Sequence, residues 1–332
     1  MAPAREKKGS ETCDVVVIGG SAGAIPAVKE LLHALPSDFP TPIFIVIHVA
    51  PTTPGLLDQI LARATALPVH YARDGQAIEA GHVYLASPDH HLILEDHVVR
   101  VTSGPKHNRY RPAIDPLFRS AALAFGPQVC GVVLSGMLYD GTMGLYAIKE
   151  AGGIAIVQSP EEALHAGMPL NALDRVNVDY TAPVARIAQL LIEADDGASA
   201  GESKSKVNRQ ESIRDKIGLT GMRPEDVERP LPLVCPECGG VLSRDGDGEL
   251  AGFRCFLGHT YSEQALWVAH VETAEALLWK SLRALTEVST VGRLFLERER
   301  QKRDDGELRE VEEQIAQAEG RAAVLRGILY DI

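Results

Sequence analysis

Apolar residues in this chain fall into two kinds of run. Uninterrupted stretches such as Val15-Val16-Val17-Ile18, Ile43-Phe44-Ile45-Val46-Ile47 and Ile154-Ala155-Ile156-Val157 end at glycine, proline or polar residues. Short, largely β-branched runs of that kind are the pattern of buried strands. Between them the apolar positions are three or four apart, as in Ile25, Val28, Leu31 and Leu32, the spacing of one helix face. The pattern predicts strands over about 14–18, 42–49, 81–86, 91–94, 129–136 and 154–157, with a weaker strand signal near Val69. It predicts helices over about 23–35, 56–66, 115–124, 142–151 and 184–194. The 91–94 segment mixes polar and apolar residues and reads as an antiparallel piece. Strands alternating with helices at these spacings predict an α/β fold over 13–194: a doubly wound, mainly parallel sheet.

Beyond that unit the pattern changes. Residues 195–232 are rich in Gly, Ser, Lys and charges, carry Pro224, Pro230 and Pro232, and read as a linker. Residues 233–262 hold Cys235-Pro236-Glu237-Cys238 and, after sixteen residues, Cys255-Phe256-Leu257-Gly258-His259. Residues 263–332 are helical in pattern. From Leu308, the series Val311, Ile315, Ala318, Ala322, Leu325 and Leu329 alternates steps of three and four, a heptad seam. A break near Asp304-Asp305-Gly306 makes this region a predicted helical hairpin, and the seam could join two copies as a homodimer.

Charge and cysteine usage narrow the class. Among 332 residues the net charge is −12, which argues against general nucleic-acid binding. No apolar run reaches membrane-spanning length, and Ala4-Arg5-Glu6-Lys7-Lys8 lacks the apolar core of a secretory signal. Five cysteines, three of them clustered late, do not form a disulfide framework, so a cytoplasmic, non-membrane-embedded protein is expected.

Candidate chemistry gathers at strand ends. Gly19-Gly20-Ser21-Ala22-Gly23 sits between the first strand and the first helix. As a dinucleotide fingerprint it fails, because Ser21 replaces the second glycine and the next strand ends in His48 rather than an acid. It does fit G-x-S-x-G, a turn that exposes a nucleophilic serine. Serine needs a base, and the base needs a carboxylate to fix its tautomer. Ser21, His48 and Asp140 each fall just past a different predicted strand, on the edge where open α/β sheets build sites. Singly, each has a plainer reading: a helix cap for Ser21 or Asp140, an ordinary strand-end histidine for His48. His165, in a loop after Ser159-Pro160, is a rival base, and the residues alone leave that choice open.

Several ordered segments carry a resemblance: Val17–Gly23, Ile47-His48, Val83–Ala86, Arg111-Pro112-Ala113-Ile114-Asp115, Ser135–Gly141 and Gly167-Met168-Pro169. Over residues 13–193 the chain resembles the catalytic domain of the chemotaxis receptor methylesterases, the CheB type. The resemblance implies Ser21 as nucleophile, His48 as base and Asp140 as the orienting acid, with no catalytic part for His165. It implies hydrolysis of γ-methyl esters of glutamate on methyl-accepting receptor helices, possible glutamine deamidation, and no cofactor for catalysis. Ala22 and, by family analogy, Met137 would supply the backbone oxyanion donors, and Arg111 matches the family's Arg-Pro motif as a substrate-binding candidate in a basic loop. The family's usual receiver domain is not expected, since about a dozen residues precede the first strand. One residue departs from the family's pattern: Leu138 stands where glycine is usual, two residues before Asp140.

The C-x₂-C and C-x₃-H pairs have the spacing of a closed zinc site, so Cys235, Cys238, Cys255 and His259 are expected to hold a structural zinc in a ribbon-like module. Two other readings stand beside the methylesterase: a catalytically weak scaffold acting through the C-terminal module, and a general esterase of small esters.

Overall fold

The computed structural model describes residues 13–50, 52, 55–95, 97–196, 230–245, 252–299 and 305–330. The expected linker lies almost wholly outside them, as do residues 1–12.

The chain opens with β1 (Val15–Gly20), α1 (Ala24–Ala34), β2 (Ile43–Ile47), α2 (Leu57–Ala62), β3 (Val69–Tyr71) and β4 (Val83–Leu85). A hairpin follows, β5 (His91–Glu95) and β6 (Val98–Thr102), then α3 (Ile114–Phe125), β7 (Val129–Val133), α4 (Thr142–Glu150) and β8 (Ile154–Gln158). The unit closes with α5 (Gly167–Arg175), β9 (Tyr180–Ala182) and α6 (Val184–Asp196). Seven strands form one parallel sheet in the order β3-β4-β2-β1-β7-β8-β9.

Alternation along β1 explains both layers. Val16 and Ile18 face a cluster with Val28, Leu31 and Leu32 of α1 and Ile187 and Leu191 of α6. Val15 and Val17 face the opposite cluster, with Ile114, Leu117 and Phe118 of α3 and Leu145 and Ile148 of α4. A strand apolar on both faces must be covered on both, which makes the sheet doubly wound. Each such fully buried side chain contributes roughly 1.5–3 kcal/mol. The chain leaves β1 toward β2 on one side and returns at β7 on the other, so the sheet's direction of winding switches at β1.

Three elements lie outside the sequence expectations. β6 pairs antiparallel with β5, confirming the antiparallel reading of 91–94. α5 carries Pro169 in its first turn, a position that tolerates proline but reads as a loop in sequence. β9 is an edge strand with Tyr180 and Thr181 exposed, so it has no apolar run to announce it. α2 is shorter than expected, Leu57–Ala62 rather than 56–66.

Residues 230–245 and 252–262 form a four-stranded antiparallel sheet: β10 (Pro230–Val234), β11 (Val241–Asp245), β12 (Gly252–Cys255) and β13 (Thr260–Tyr261). Its interior is small, built from Leu242, Tyr261, Cys235 and Cys255.

Residues 267–332 make a separate compact unit. It is formed by the length of α7 (Glu263–Glu299) beyond its first turn and by α8 (Asp305–Tyr330). The heptad seam is real, but its partner is in the same chain. Leu308 and Ile315 pack with Leu296, and Ala322 and Leu329 with Leu282. The Arg293–Glu319 ion pair, 2.7 Å, lies between the two helices. Within one chain the apolar residues of this seam pack on α7.

Candidate active site

The register of the parallel sheet builds the site. Gly20 pairs with Ile47 across β1 and β2, and the His48 N–H donates to the Gly20 carbonyl at 3.1 Å. The next residues outward on these two strands are therefore Ser21 and His48, side by side. On the other flank, the Ser21 N–H donates to the Ser135 carbonyl at 3.0 Å, just past β7. A Cβ added to Gly136 would sit 3.0 Å from the Ser21 Cβ, so only glycine lets that turn approach. Ser21 thus stands in the crevice where the winding switches.

Ser21 does not cap the helix. The N-cap of α1 is Gly23, with no side-chain cap bond, and Ser21 contributes only its carbonyl, which accepts from Ala24 N–H at 3.1 Å. Asp140 does not cap its own helix either, since Gly141 is the N-cap of α4. The plain capping readings of both residues fall.

What Asp140 does is more specific. His48 Nε2 lies 2.7 Å from its Oδ2, with both side chains almost fully buried. The N–H groups of Ile114 and Asp115, opening α3, donate to Asp140 at 2.6 and 3.4 Å. Asp115 returns the arrangement: its Oδ1 accepts from the N–H groups of Gly141 and Gly144, at 3.0 and 2.7 Å, at the start of α4. Each helix start is thus served by the other's carboxyl group, and both helix dipoles point positive ends at the pair. Asn108 joins the two, its Nδ2 donating to Asp115 Oδ2 at 2.9 Å and Asp140 Oδ1 at 3.1 Å.

Two carboxyls this close cannot both ionise easily. Burial alone would raise Asp140, but the hydrogen bond and charge of His48, with the Ile114 and Asn108 donors, bring it down to about 2. Burial first, and then the Asp140 charge, raise Asp115 to about 8. The pair therefore holds one negative charge at neutral pH, on the member that faces His48.

His48 Nδ1 is buried and has no hydrogen-bond partner in the protein. With Asp140 an acceptor, Nε2 carries the proton and Nδ1 is the bare nitrogen, free to act as base. Tyr110 stacks on the imidazole, ring centroids 3.7 Å apart and nearly parallel. His165, the rival base, is exposed, and its backbone rather than its ring serves the site. Its N–H donates to Ser135 Oγ at 2.9 Å and its carbonyl accepts from Gly136 N–H.

Arg111 is engaged inside the protein. Its Nε and Nη2 reach Asp89 at 3.0 and 2.9 Å, and Nη1 donates to the carbonyls of Ser103 and Gly104. Nearby, buried His91 is held neutral, its pKa pushed down to about 4 by desolvation. Its Nε2 donates to Pro105 O and its Nδ1 accepts from Ala113 N–H. These bonds pin the 103–113 loop that carries Asn108 and Tyr110. Lys106 pairs with Glu237 at 3.1 Å, so the basic loop is partly neutralised from within.

Comparisons with known proteins give the family. The family description "CheB methylesterase" matches residues 16–191. The chain belongs to the CheB methylesterase family. A Leptospira interrogans protein, named provisionally as a protein-glutamate methylesterase/protein-glutamine glutaminase, is 39% identical over 55% of this chain and 95% of its own length. An Anaeromyxobacter dehalogenans protein-glutamate methylesterase/protein-glutamine glutaminase is 40% identical over 58% of this chain but only 55% of itself. The crystal structure of the Thermotoga maritima CheB methylesterase catalytic domain is 33% identical, with a TM-score of 0.52, over 55% of this chain and 98% of that one.

Leu138, where the resemblance leads one to expect glycine, has a structural cost. Its φ is +67°, the left-handed region that favours glycine. Asn171 Nδ2 braces the turn by donating to the Leu138 carbonyl at 2.6 Å.

Cys235, Cys238, Cys255 and His259 converge, with ligand atoms all within 4.8 Å of one another. Cys238 and Cys255 sulfurs are 3.7 Å apart, too far for a disulfide. His259 Nδ1 is 3.7 Å from Cys235 Sγ and 3.5 Å from Cys255 Sγ. A tetrahedron with metal bonds of about 2.3 Å to sulfur and 2.0 Å to nitrogen has edges of roughly 3.5–3.8 Å. The four residues therefore fit a closed zinc site.

Sequence reasoning missed Asn108, Tyr110 and Ser135, and took Asp115 only as a helix start. Asn108 had one signal: asparagine tolerates the left-handed backbone that it adopts, φ +48°.

Proposed function

We propose that this chain hydrolyses γ-methyl esters of glutamate on methyl-accepting receptor helices, and the corresponding glutamine amides, through Ser21, His48 and Asp140. The observation that carries this reading is the bare, buried Nδ1 of His48, with Asp140 bound to the opposite nitrogen and Ser21 on the neighbouring strand. In the first half-reaction Nδ1 takes the Ser21 proton as Oγ attacks the γ-carbonyl carbon. The imidazolium, stabilised by Asp140, then gives that proton to the departing methoxide, and methanol leaves. In the second half, Nδ1 takes a proton from water, hydroxide attacks the acyl-serine, and the proton returns to Ser21. With an amide, ammonia leaves instead.

Backbone N–H groups of Ala22 and Met137 are the assigned oxyanion donors. The preceding donors in the two turns, Ser21 and Gly136, are already committed to Ser135 O and His165 O. Exposed Met137 and Leu164 offer an apolar rim suited to a receptor helix, Leu164 lying against the Gly23 turn. Arg111 acts on substrate through the loop that it builds. The Cys/His module holds structural zinc and takes no part in bond making, because its four donors fill a tetrahedral ion. Among the described residues no helix is long and apolar enough to cross a membrane; a cytoplasmic enzyme acting on the inner ends of receptors fits this reading.

The test is methanol release from methylated receptor, wild type against Ser21→Ala, with a small methyl ester alongside. Release should fall at least 10³-fold in the variant. No release from receptor by folded wild type would favour the scaffold reading; turnover of the small ester alone would favour a general esterase.

A further inference from the structure

The Cys/His module does not stand apart from the catalytic machinery. Its edge strand β13 runs beside the loop that carries Asn108. Asn108 N–H donates to the Thr260 carbonyl at 2.8 Å, and Thr260 N–H donates to the Lys106 carbonyl at 3.3 Å. His107 and Thr260 are paired as a parallel bridge. Ser262 N–H donates to Asn108 Oδ1 at 3.0 Å, and Lys106 pairs with Glu237, which sits between Cys235 and Cys238. Asn108 is thus held at its backbone and its side-chain oxygen by the module, while its amide nitrogen holds Asp140 and Asp115.

The bond to Ser262 also sets the sense of the Asn108 amide. An oxygen accepting from Ser262 N–H leaves the NH₂ aimed at the two carboxyls. A flipped amide would set its oxygen against both acids. A turn of chain from the module therefore selects the rotamer that serves the triad's acid.

The module cannot hold that strand by packing alone. Its interior is a handful of side chains; the short β11–β12 ladder joins its two halves, and the turns that carry the four candidate ligands converge beside it. His259, one of the four, immediately precedes Thr260. We propose that metal binding at Cys235, Cys238, Cys255 and His259 locks β13 onto the 106–110 loop and thereby fixes Asn108, a positioning residue, against Asp140. The bound metal would then control the esterase from outside its active site, and loss of metal would slow it.

The chemistry arm of the test rests on the methylesterase reading; the structural arm does not. Hydrogen exchange of the full chain is followed with zinc bound and after chelation. Amides of 106–115 should exchange faster without zinc, while β1 and β7 stay protected, and added zinc should restore the protection of 106–115. Methanol release should fall about tenfold on chelation and recover with zinc. Ser262→Pro deletes the N–H that sets the Asn108 amide, and Ser262→Ala keeps it. With zinc content equal, the proline variant should run about tenfold slower than the alanine variant. Its acid limb in the pH–rate profile should also move to higher pH, because an Asp140 that has lost a donor holds the proton of His48 more strongly. Asn108→Ala should share that displaced limb, which covers the case of a poorly folded proline variant. Exchange in 106–115 that ignores zinc overturns the proposal whatever the rates do. Absent methanol release with zinc-dependent exchange would instead count against the methylesterase reading alone.

Discussion

The sheet edge around Ser21 and the Cys/His module solve the same problem, fixing a few polar side chains, by opposite means. At the sheet edge, the fixing agent is bulk. Two fully covered faces bury β1 completely, and the strand register alone places Ser21 beside His48. The module has too little apolar interior for that, and its sulfur and nitrogen donors converge to metal-edge distances instead. Packing fixes side chains without an ion; a module completed by a metal would lose its order with that metal. The two meet along Lys106, His107 and Asn108, and of these Asn108 also holds Asp140 and Asp115.

Stripping the metal separates the regions most strongly. Structural zinc in small domains is worth about 10–16 kcal/mol of apparent binding energy. Cys255→Ser, or chelation, should therefore expose the amides of 230–262 to exchange while the parallel sheet holds; loss of both together would mean that the sheet has no independent stability. Asp140→Asn tests the sheet edge by itself. It should cut kcat by roughly 10³–10⁴-fold with zinc content unchanged, since asparagine can present its amide to His48 and hold the wrong tautomer.

The carboxyl pair gives a smaller and oppositely signed effect. Asp115 keeps its proton in the folded state up to about pH 8 and loses it near 4 when unfolded. The folded state then binds more protons between those values, so this group's contribution falls as pH rises from about 4 to 8. Asn mimics the protonated acid, so the stability of Asp115→Asn relative to wild type should improve by roughly 1–3 kcal/mol between pH 5 and 8, read by denaturant unfolding. A flat difference would mean that the two carboxyls do not compete. Least of all, Leu138→Gly should stabilise by about 1 kcal/mol by relieving a left-handed leucine. Faster methanol release from the same variant would show that the turn is strained at a cost to catalysis.

Much of this was legible in the chain itself. Uninterrupted apolar runs, strand ends and the Gly-Ser turn located Ser21, His48 and Asp140, because a parallel sheet turns strand position directly into spatial neighbourhood. The Cys/His cluster was legible because the spacing of such donor pairs is set by covalent reach. Unreadable were contacts that depend on how loops fold back. Asn108 gains its meaning from Asp115, Asp140 and Ser262, the last 154 residues away, and no local pattern encodes that meeting. Tyr110 over His48 and the exchange of caps between α3 and α4 belong to the same class. The seam of α8 was legible as a seam but not as to its partner, since a heptad pattern reads the same against a neighbour in the chain or a second copy.

The central claim is that His48 turns Nε2 to Asp140 and offers a bare Nδ1 to Ser21. Nitrogen-15 NMR of the zinc-loaded protein with labelled histidine, the His48 signals assigned by His48→Gln, reads that tautomer directly. Above the histidine titration the account predicts a protonated Nε2 and an unprotonated Nδ1. A proton on Nδ1 with Nε2 bare would contradict it, for His48 would then have no nitrogen with which to take the proton of Ser21.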